Sequence, residues 1–395
     1  MLQSATFNQT SSCTVLSTSD GCSIFHCSPF AKCHSHTTDG GVSVASLWFD
    51  SSLLAIVDDG SQPGSSSCKL KLYNITNNVC ICDLLFVTPI LDVQMNRRRL
   101  IVVLETHIHI YELPYVELLH SIDTALNPRG LCALAAGDSC RIAFPRHGTN
   151  DTLPGDDAAA GGDGHGGVVL FDALGLSNVN LINAHKGALA SLALDDAGRL
   201  LATASVKGTV IRLFTLPKGQ LVRAFRRGAY TASIRCLAFA HNLPYLCVAS
   251  NTTSIHVFKF AAEEEAVPSN RGALRRRSSD DEKLVDDNVS GSPPAPPLLS
   301  TYFSSLWQTT TAALEPQRAF ALAHLPARVV PACCAFTPVN HISPGMFVIA
   351  TDGSFFEFAL DTKNGGEMRL VREFSALANE DGAMSPMLRN NDMVV

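Results

Sequence analysis

The chain is short of charge. Only 17% of its 395 residues are Asp, Glu, Lys or Arg, and the formal net charge is −6. Such a sparse, mildly acidic surface excludes wholesale nucleic-acid binding, which wants an extended basic face, while leaving room for a small basic pocket. No apolar run approaches the length needed to cross a bilayer. The opening "MLQSATFNQTSSC" has no basic segment followed by an apolar one, so no secretory signal is expected. Paired cysteine spacings are missing too. The thirteen cysteines are scattered and odd in number, which points to small buried hydrophobes in a reducing compartment and not to a disulfide framework. These absences lead to the expectation of a soluble, cytoplasmic protein that meets a membrane only from outside.

What is present is a repeat. A turn or polar residue is followed by alternating apolar positions that end in an aromatic. The copies are "GCSIFHC" at Phe25, "KLKLYNI" at Tyr73, "HIHIYEL" at Tyr111, "GVVLFDAL" at Phe171, "GTVIRLFTL" at Phe214, "TSIHVFKF" at Phe258 and "GSFFEFAL" at Phe358. Most follow another short apolar strand, such as "SLLAIVDD", "RLIVVLE", "RLLATAS", "YLCVAS" or "GMFVIAT". Each pair predicts a hairpin. Four of the gaps between copies run from 38 to 48 residues, the period of a four-stranded propeller blade. The expected fold is all-β, a single seven-bladed β-propeller over residues 1–395. Closing the ring removes exposed sheet edges, and the N-terminal "ATFNQ" is expected to add a strand to the last blade.

Two gaps are longer, and each holds an insertion. Residues 145–167 are rich in Gly and Asp with little to bury, and are expected to be a mobile loop. Residues 261–317 begin with mixed charge blocks and proline, the composition of a disordered segment. Within it, "RRRSS" marks Ser278 and Ser279 as candidate sites for a basophilic kinase, where a phosphate would repel an anionic membrane. It continues as "LLSTYFSSLWQTTTAALEP", with Leu299, Tyr302, Phe303, Leu306, Trp307, Ala313 and Leu314 at three- and four-residue spacing. That is an amphipathic helical pattern whose aromatics suit a membrane interface, although a short helix docked on the propeller has the same pattern. Residues 376–395 are expected to be a flexible tail. No helical periodicity of core quality appears elsewhere.

Between the fifth and sixth copies stands "FRRG", Phe225 to Gly228. In an extended chain, Arg226 and Arg227 point to opposite faces and can serve separate pockets. Upstream lie His185, Thr203, Ser205, Lys207 and Thr209; downstream lie Ser250, Asn251, Thr252, Thr253, Ser254 and His256. A forked cation among short hydroxyl donors suits phosphate. Two other constellations carry less. "HCSPFAKCHSH" collects Cys and His at a spacing that fits no zinc site, and "GGDGHGG" follows no strand of a βαβ unit. No Ser-His-Asp signature or nucleophile elbow is visible.

The usual Trp-Asp dipeptides are missing, yet "NAHKGALASLALDDAGRLLATASVKGTVIRLF" (183–214) has the layout of one WD40-like repeat. With "NRRRLIVVLETHIHIYEL" (96–113), "LLHSIDTALNPRGLCALA" (118–135), "FRRG", "ASNTTSIHVFKF" (249–260) and "NGGEMRLVREF" (364–374), the chain resembles the PROPPIN family, the phosphoinositide-binding β-propellers of autophagy. The resemblance covers most of the chain. It implies a seven-bladed propeller with two headgroup sites on its rim, for phosphatidylinositol 3-phosphate and 3,5-bisphosphate. Arg226 would serve the first with His185, Thr203, Ser205 and Thr209, and with Lys207 as an extra contact. Arg227 would serve the second with Ser250, Asn251 and Thr252. Ala229 and the run "SNTTS" depart from the family pattern, and the second site is expected to be weaker or tuned differently.

The resemblance further implies that the long loop of the sixth blade enters the bilayer, here through Tyr302, Phe303, Leu306 and Trp307. Two weak headgroup contacts plus an inserting loop on one edge would dock multivalently. The protein would sit peripherally on preautophagosomal, endosomal or vacuolar membranes and recruit autophagy lipidation or lipid-transfer proteins. In some members a basic patch between the second and third blades holds an acidic helix of a conjugation factor. Here that segment is "YELPYVELLH" (111–120), with Pro114 and Glu117 where basic residues would help. No cofactor, metal, catalysis or nucleic acid is expected. The rival readings are a WD40-like interaction scaffold without lipid function and a propeller enzyme.

Overall fold

The computed structural model describes residues 2–146, 166–260, 316–338, 341 and 344–376. Every regular element among them is a β-strand. The first blade is the antiparallel sheet β1 (Leu2–Phe7), β2 (Cys13–Thr18), β3 (Gly21–Cys27) and β4 (Phe30–Thr37). Three more four-stranded blades follow in chain order: β5 (Val42–Leu47), β6 (Leu53–Asp58), β7 (Lys69–Asn74) and β8 (Val79–Leu85); β9 (Asp92–Met95), β10 (Arg99–Val103), β11 (His107–Glu112) and β12 (Glu117–Asp123); and β13 (Ala133–Leu134), β14 (Arg141–Pro145), β15 (Gly167–Asp172) and β16 (Ser177–Asn183). The fifth is β17 (Leu189–Leu194), β18 (Leu200–Ser205), β19 (Val210–Thr215) and β20 (Gln220–Arg226). The sixth is β21 (Ile234–Phe239), β22 (Tyr245–Ser250), β23 (Ser254–Lys259) and β24 (Ala321–His324), to which β28 (Gly366–Glu367) adds in parallel. The seventh is β25 (Pro331–Phe336), β26 (Gly345–Ala350), β27 (Ser354–Ala359) and β29 (Arg369–Ser375).

All seven recurrent aromatics fall on the third strand of a blade. In six blades the pairing of third and fourth strands shifts register immediately before the aromatic, as between Ile24 and Phe25 or Leu213 and Phe214. Such a bulge raises local twist and re-aims the side chain, here into the contact between neighbouring blades. The apolar core is accordingly divided into seven clusters, each filling one seam between adjacent blades.

The first strands meet around the ring, and β1 packs on β25 to close it. Closure differs from the expectation. Ala5 to Phe7 of the "ATFNQ" segment end β1, which pairs with β2 in the first blade and adds nothing to the last, and Asn8 and Gln9 follow it outside the strand. Side chains close the ring instead. Phe30 stacks on Phe25, Phe355 and Phe374 at 5.1, 4.2 and 5.1 Å between centroids. Aromatic stacking across this seam supplies what a shared strand would have supplied.

Both insertions are narrower than the composition implied. Pro145 and Gly167 belong to the paired strands β14 and β15, and residues 147–165 lie outside the described residues. Gln317, placed at the end of the second insertion, bridges to Phe225 in parallel.

Candidate functional site

Strands alternate in direction, so the turns between second and third strands and the links from one blade to the next open on the same end of the propeller. On the fifth and sixth blades this end gathers the link after β16, with His185; the β18–β19 turn, with Lys207 and Gly208; the link after β20, beginning at Arg227; and the β22–β23 turn, 251–253. The sequence-expected residues therefore share one end of two neighbouring blades.

In the fifth blade His185 Nε2 lies 2.9 Å from Thr203 Oγ1, and Thr203 is fully buried. Arg212, on β19, donates from Nη1 to Ala184 O and lies 3.5 Å from His185 Nδ1. Burial, followed by the Arg212 charge, pushes the His185 pKa down to about 4. The imidazole is neutral at pH 7 and sits beside a fixed cation. Ser205 ends β18 and is half-buried, as is Thr209 in the following turn. Arg226 ends β20 exposed, opposite Val210 of β19. Its backbone is fixed by the chain returning from the second insertion: Gln317 N donates to Ala224 O at 2.9 Å and Arg226 N to Gln317 O at 2.7 Å.

Arg227 is buried where its neighbour is exposed. Its Nε donates to Gly208 O at 2.6 Å, and its Nη2 donates to Tyr230 O. Its backbone N donates to Thr209 O at 2.9 Å. The guanidinium thus knits the β18–β19 turn to the link between the blades. It also acts on the sixth blade. Burial first, then the charge of Arg227, then His324 push the His256 pKa down to about 4. His256 Nδ1 is buried and has no hydrogen-bond partner, an arrangement that costs free energy until something fills it. Ser250 Oγ lies 2.9 Å from Thr252 Oγ1, and Thr252 Oγ1 donates to Ser254 O at 3.3 Å. Ser254 Oγ approaches His324 Nδ1 at 3.4 Å.

Asn251 departs from this group. Its Oδ1 accepts from Ser233 N at 3.0 Å and its backbone N donates to Ser233 O at 2.9 Å, so the side chain ties the turn to the link. Tyr302, Phe303, Leu306 and Trp307 of the expected membrane segment, and Ser278 and Ser279, lie outside the described residues.

Two further signals in the sequence mark this region. Arg212 and His256 each stand two residues before the recurrent aromatic, Phe214 and Phe258, so the repeat itself marks both positions. Between residues 197 and 262 there are nine Lys and Arg and no Asp or Glu. A chain with an acidic excess thus confines one carboxylate-free stretch to the blades that hold the arginines.

The other end of the propeller carries polar residues of a different kind. His241 spans Ser11 Oγ, 3.0 Å from its Nε2, and Asp196 Oδ2, 2.7 Å from its Nδ1. The three come from first turns of the first, sixth and fifth blades, an alignment invisible in linear spacing. Ser11 is 4% exposed, and the line links three turns across the ring. A cavity of about 260 Å³ lies beside it, lined by His241, Tyr245, Phe336 and Leu360, away from the arginines. All thirteen cysteines are free thiols, with Cys27 and Cys33 buried. Among the described residues no His, Cys, Asp or Glu cluster could hold a metal ion, and no helix is long and apolar enough to cross a membrane.

Comparison with known proteins places this architecture. The family model described as PROPPIN matches residues 1–276. Autophagy-related protein 18 of Yarrowia lipolytica is 35% identical over 391 residues, covering 96% of this chain and 97% of that protein. Autophagy-related protein 18 of Dictyostelium discoideum is 37% identical over 375 residues, covering 95% and 93%. Among solved structures, the complex of KlAtg21 with coiled-coil of AgAtg16 matches with a TM-score of 0.69 at 23% identity, over 95% of this chain and 99% of that one. At that identity the likeness is one of fold.

Proposed function

The chain belongs to the PROPPIN family, and from that premise we propose that it is a phosphoinositide effector of autophagy. It binds phosphatidylinositol 3-phosphate and 3,5-bisphosphate at two places on one end of the fifth and sixth blades, and acts by binding and recruitment without turnover. Arg226 serves the first with His185, Thr203, Ser205 and Thr209. Arg227 serves the second with Ser250 and Thr252, while Asn251 braces the turn. Arg212 and His256 join the sequence-expected residues.

The observation that carries this reading is His256: a half-buried, neutral imidazole with a buried, unpartnered Nδ1, next to a buried guanidinium, in a stretch without a single carboxylate. An unpartnered ring nitrogen, able to donate in its Nδ1–H tautomer, held beside cations in partial burial suits an anion with several acceptor oxygens. A phosphate monoester fits that description, and its charge would reward the local cationic excess.

Protein partners belong to the same proposal. Relatives carry names of autophagy-related proteins, and one protein of this fold was solved with a coiled coil. We place this chain peripherally on autophagic, endosomal or vacuolar membranes, presenting its propeller to lipidation or lipid-transfer proteins. The segment "YELPYVELLH" (111–120) carries no Lys or Arg for a basic contact between the second and third blades. Pro114 opens the turn after β11, and Tyr115 beside it is exposed.

Vesicle co-sedimentation tests the lipid reading. Wild type is expected to bind vesicles with phosphatidylinositol 3-phosphate or 3,5-bisphosphate and to ignore 4-phosphate, and Arg226→Thr/Arg227→Thr to lose that binding. Indifference of the wild type to all of them would replace the reading with that of a WD40-like interaction scaffold.

A further inference from the structure

We infer that Val206 and Tyr230 form an apolar wedge that enters the lipid surface between the two headgroup groups, independently of the long insertion of the sixth blade. This rests on the phosphoinositide reading and adds a contact to it.

Val206 is 58% exposed and Tyr230 is 86% exposed. One stands on the β18–β19 turn and the other on the link from β20 to β21. Scattered exposed hydrophobics are ordinary on protein surfaces, so exposure alone means little. These two, however, are held on one platform. Arg227 bonds Thr209 O, Gly208 O and Tyr230 O, and Ala232 N donates to Lys207 O at 3.4 Å. Gly208 has φ of 63°, and a Cβ there would fall 1.9 Å from Ala232 O. Only glycine lets the two segments approach this closely. The same guanidinium that faces the second headgroup group therefore presents both apolar side chains.

Charge identifies the occupant. Exposed Lys207 directly follows Val206, exposed Arg226 stands four residues before Tyr230, and no carboxylate occurs from 197 to 262. Cations flanking an aromatic with a polar tip is the composition of a contact with an anionic membrane interface. A protein partner would need roughly 800 Å² on this side, which two isolated side chains do not supply.

Two measurements test the wedge. The first uses phosphatidylcholine vesicles carrying phosphatidylinositol 3-phosphate and, in parallel, the soluble headgroup inositol 1,3-bisphosphate. Val206→Ser/Tyr230→Ser is expected to weaken vesicle binding about tenfold, as loss of this much apolar contact implies, and to leave soluble headgroup binding unchanged. Equal vesicle binding by variant and wild type, or a parallel loss of headgroup binding, would overturn the wedge alone. A wild type that binds neither vesicle nor headgroup would overturn both the wedge and the function it rests on. The second places Tyr230→Trp in a Trp307→Phe background. Relative to Trp307→Phe alone, the added emission should shift to the blue on vesicles and be quenched by brominated lipid; emission insensitive to both would contradict insertion.

Discussion

The two ends of this propeller use polar residues in opposite ways. At one end the first turns of successive blades bond to each other. Asn8 Nδ2 donates to Phe49 O at 3.0 Å and Trp48 Nε1 to Asn96 O at 2.7 Å. Asn96 Nδ2 donates to Ala135 O at 3.0 Å and Gly137 N to Asp196 O at 2.7 Å. Asp196 then meets His241, and His241 meets Ser11 of the first blade. This belt passes through six blades and returns to its start. At the other end, on the fifth and sixth blades, cations collect without carboxylates and His256 Nδ1 has no partner. A Ser-His-Asp line at the belt end and an incomplete His-Arg-Ser group at the far end differ in one respect. The first is satisfied by its own chain; the second keeps an unpartnered ring nitrogen among cations.

That contrast can be broken by substitution. Arg227 is the residue expected to belong to both classes, because it is buried against two carbonyls and also faces the sixth blade. Arg227→Thr is expected to cost about 2–3 kcal/mol of stability, the scale for charge-assisted bonds lost from a buried site, together with half of the headgroup binding. Denaturant unfolding checks the first part. An unchanged midpoint would mean that the guanidinium does not hold the platform. At the belt, His241→Ala leaves the Ser11 hydroxyl buried and unpaired, and about 1–2 kcal/mol should be lost with vesicle binding intact. Loss of lipid binding in that variant would erase the distinction between the ends.

Acid sharpens the comparison further. His185 and His256 have pKa values near 4 in the fold against an ordinary value of 6.5. The unfolded chain therefore takes up protons first, and stability falls as pH drops from about 6.5 towards 4. His185→Asn/His256→Asn is expected to flatten the fall of Tm across that window; identical pH profiles would mean that neither ring is held neutral. The smallest effect is expected at Arg226→Thr. This exposed side chain should change stability by less than about 0.5 kcal/mol while removing the first headgroup contact.

Much of the architecture was legible because each blade repeats one physical demand. The third strand needs an aromatic where its pairing bulges into the seam, so Phe25, Phe214 and Phe358 announce themselves at blade period. The place of β1 was not legible. An alternating strand at a chain end looks the same whichever blade it joins, and only the stack of Phe30 on Phe355 and Phe374, more than 300 residues away in sequence, removes the need for strand sharing. The arginine pair and its hydroxyls were visible as residue types. Arg212 and His256 were visible as a repeat position, but not the burial that acts on both or the Arg227 charge that acts on His256. The belt escaped altogether: Ser11, Asp196 and His241 are ordinary turn residues until the ring brings them together.

The central claim is that two separate anion sites flank the paired arginines. Titration calorimetry with soluble inositol 1,3-bisphosphate tests it most directly. The account predicts two sites in the wild type, one in Arg226→Thr, one in Arg227→Thr and none in the double variant. A wild type with a single site, or two single variants that each abolish all binding, would contradict it.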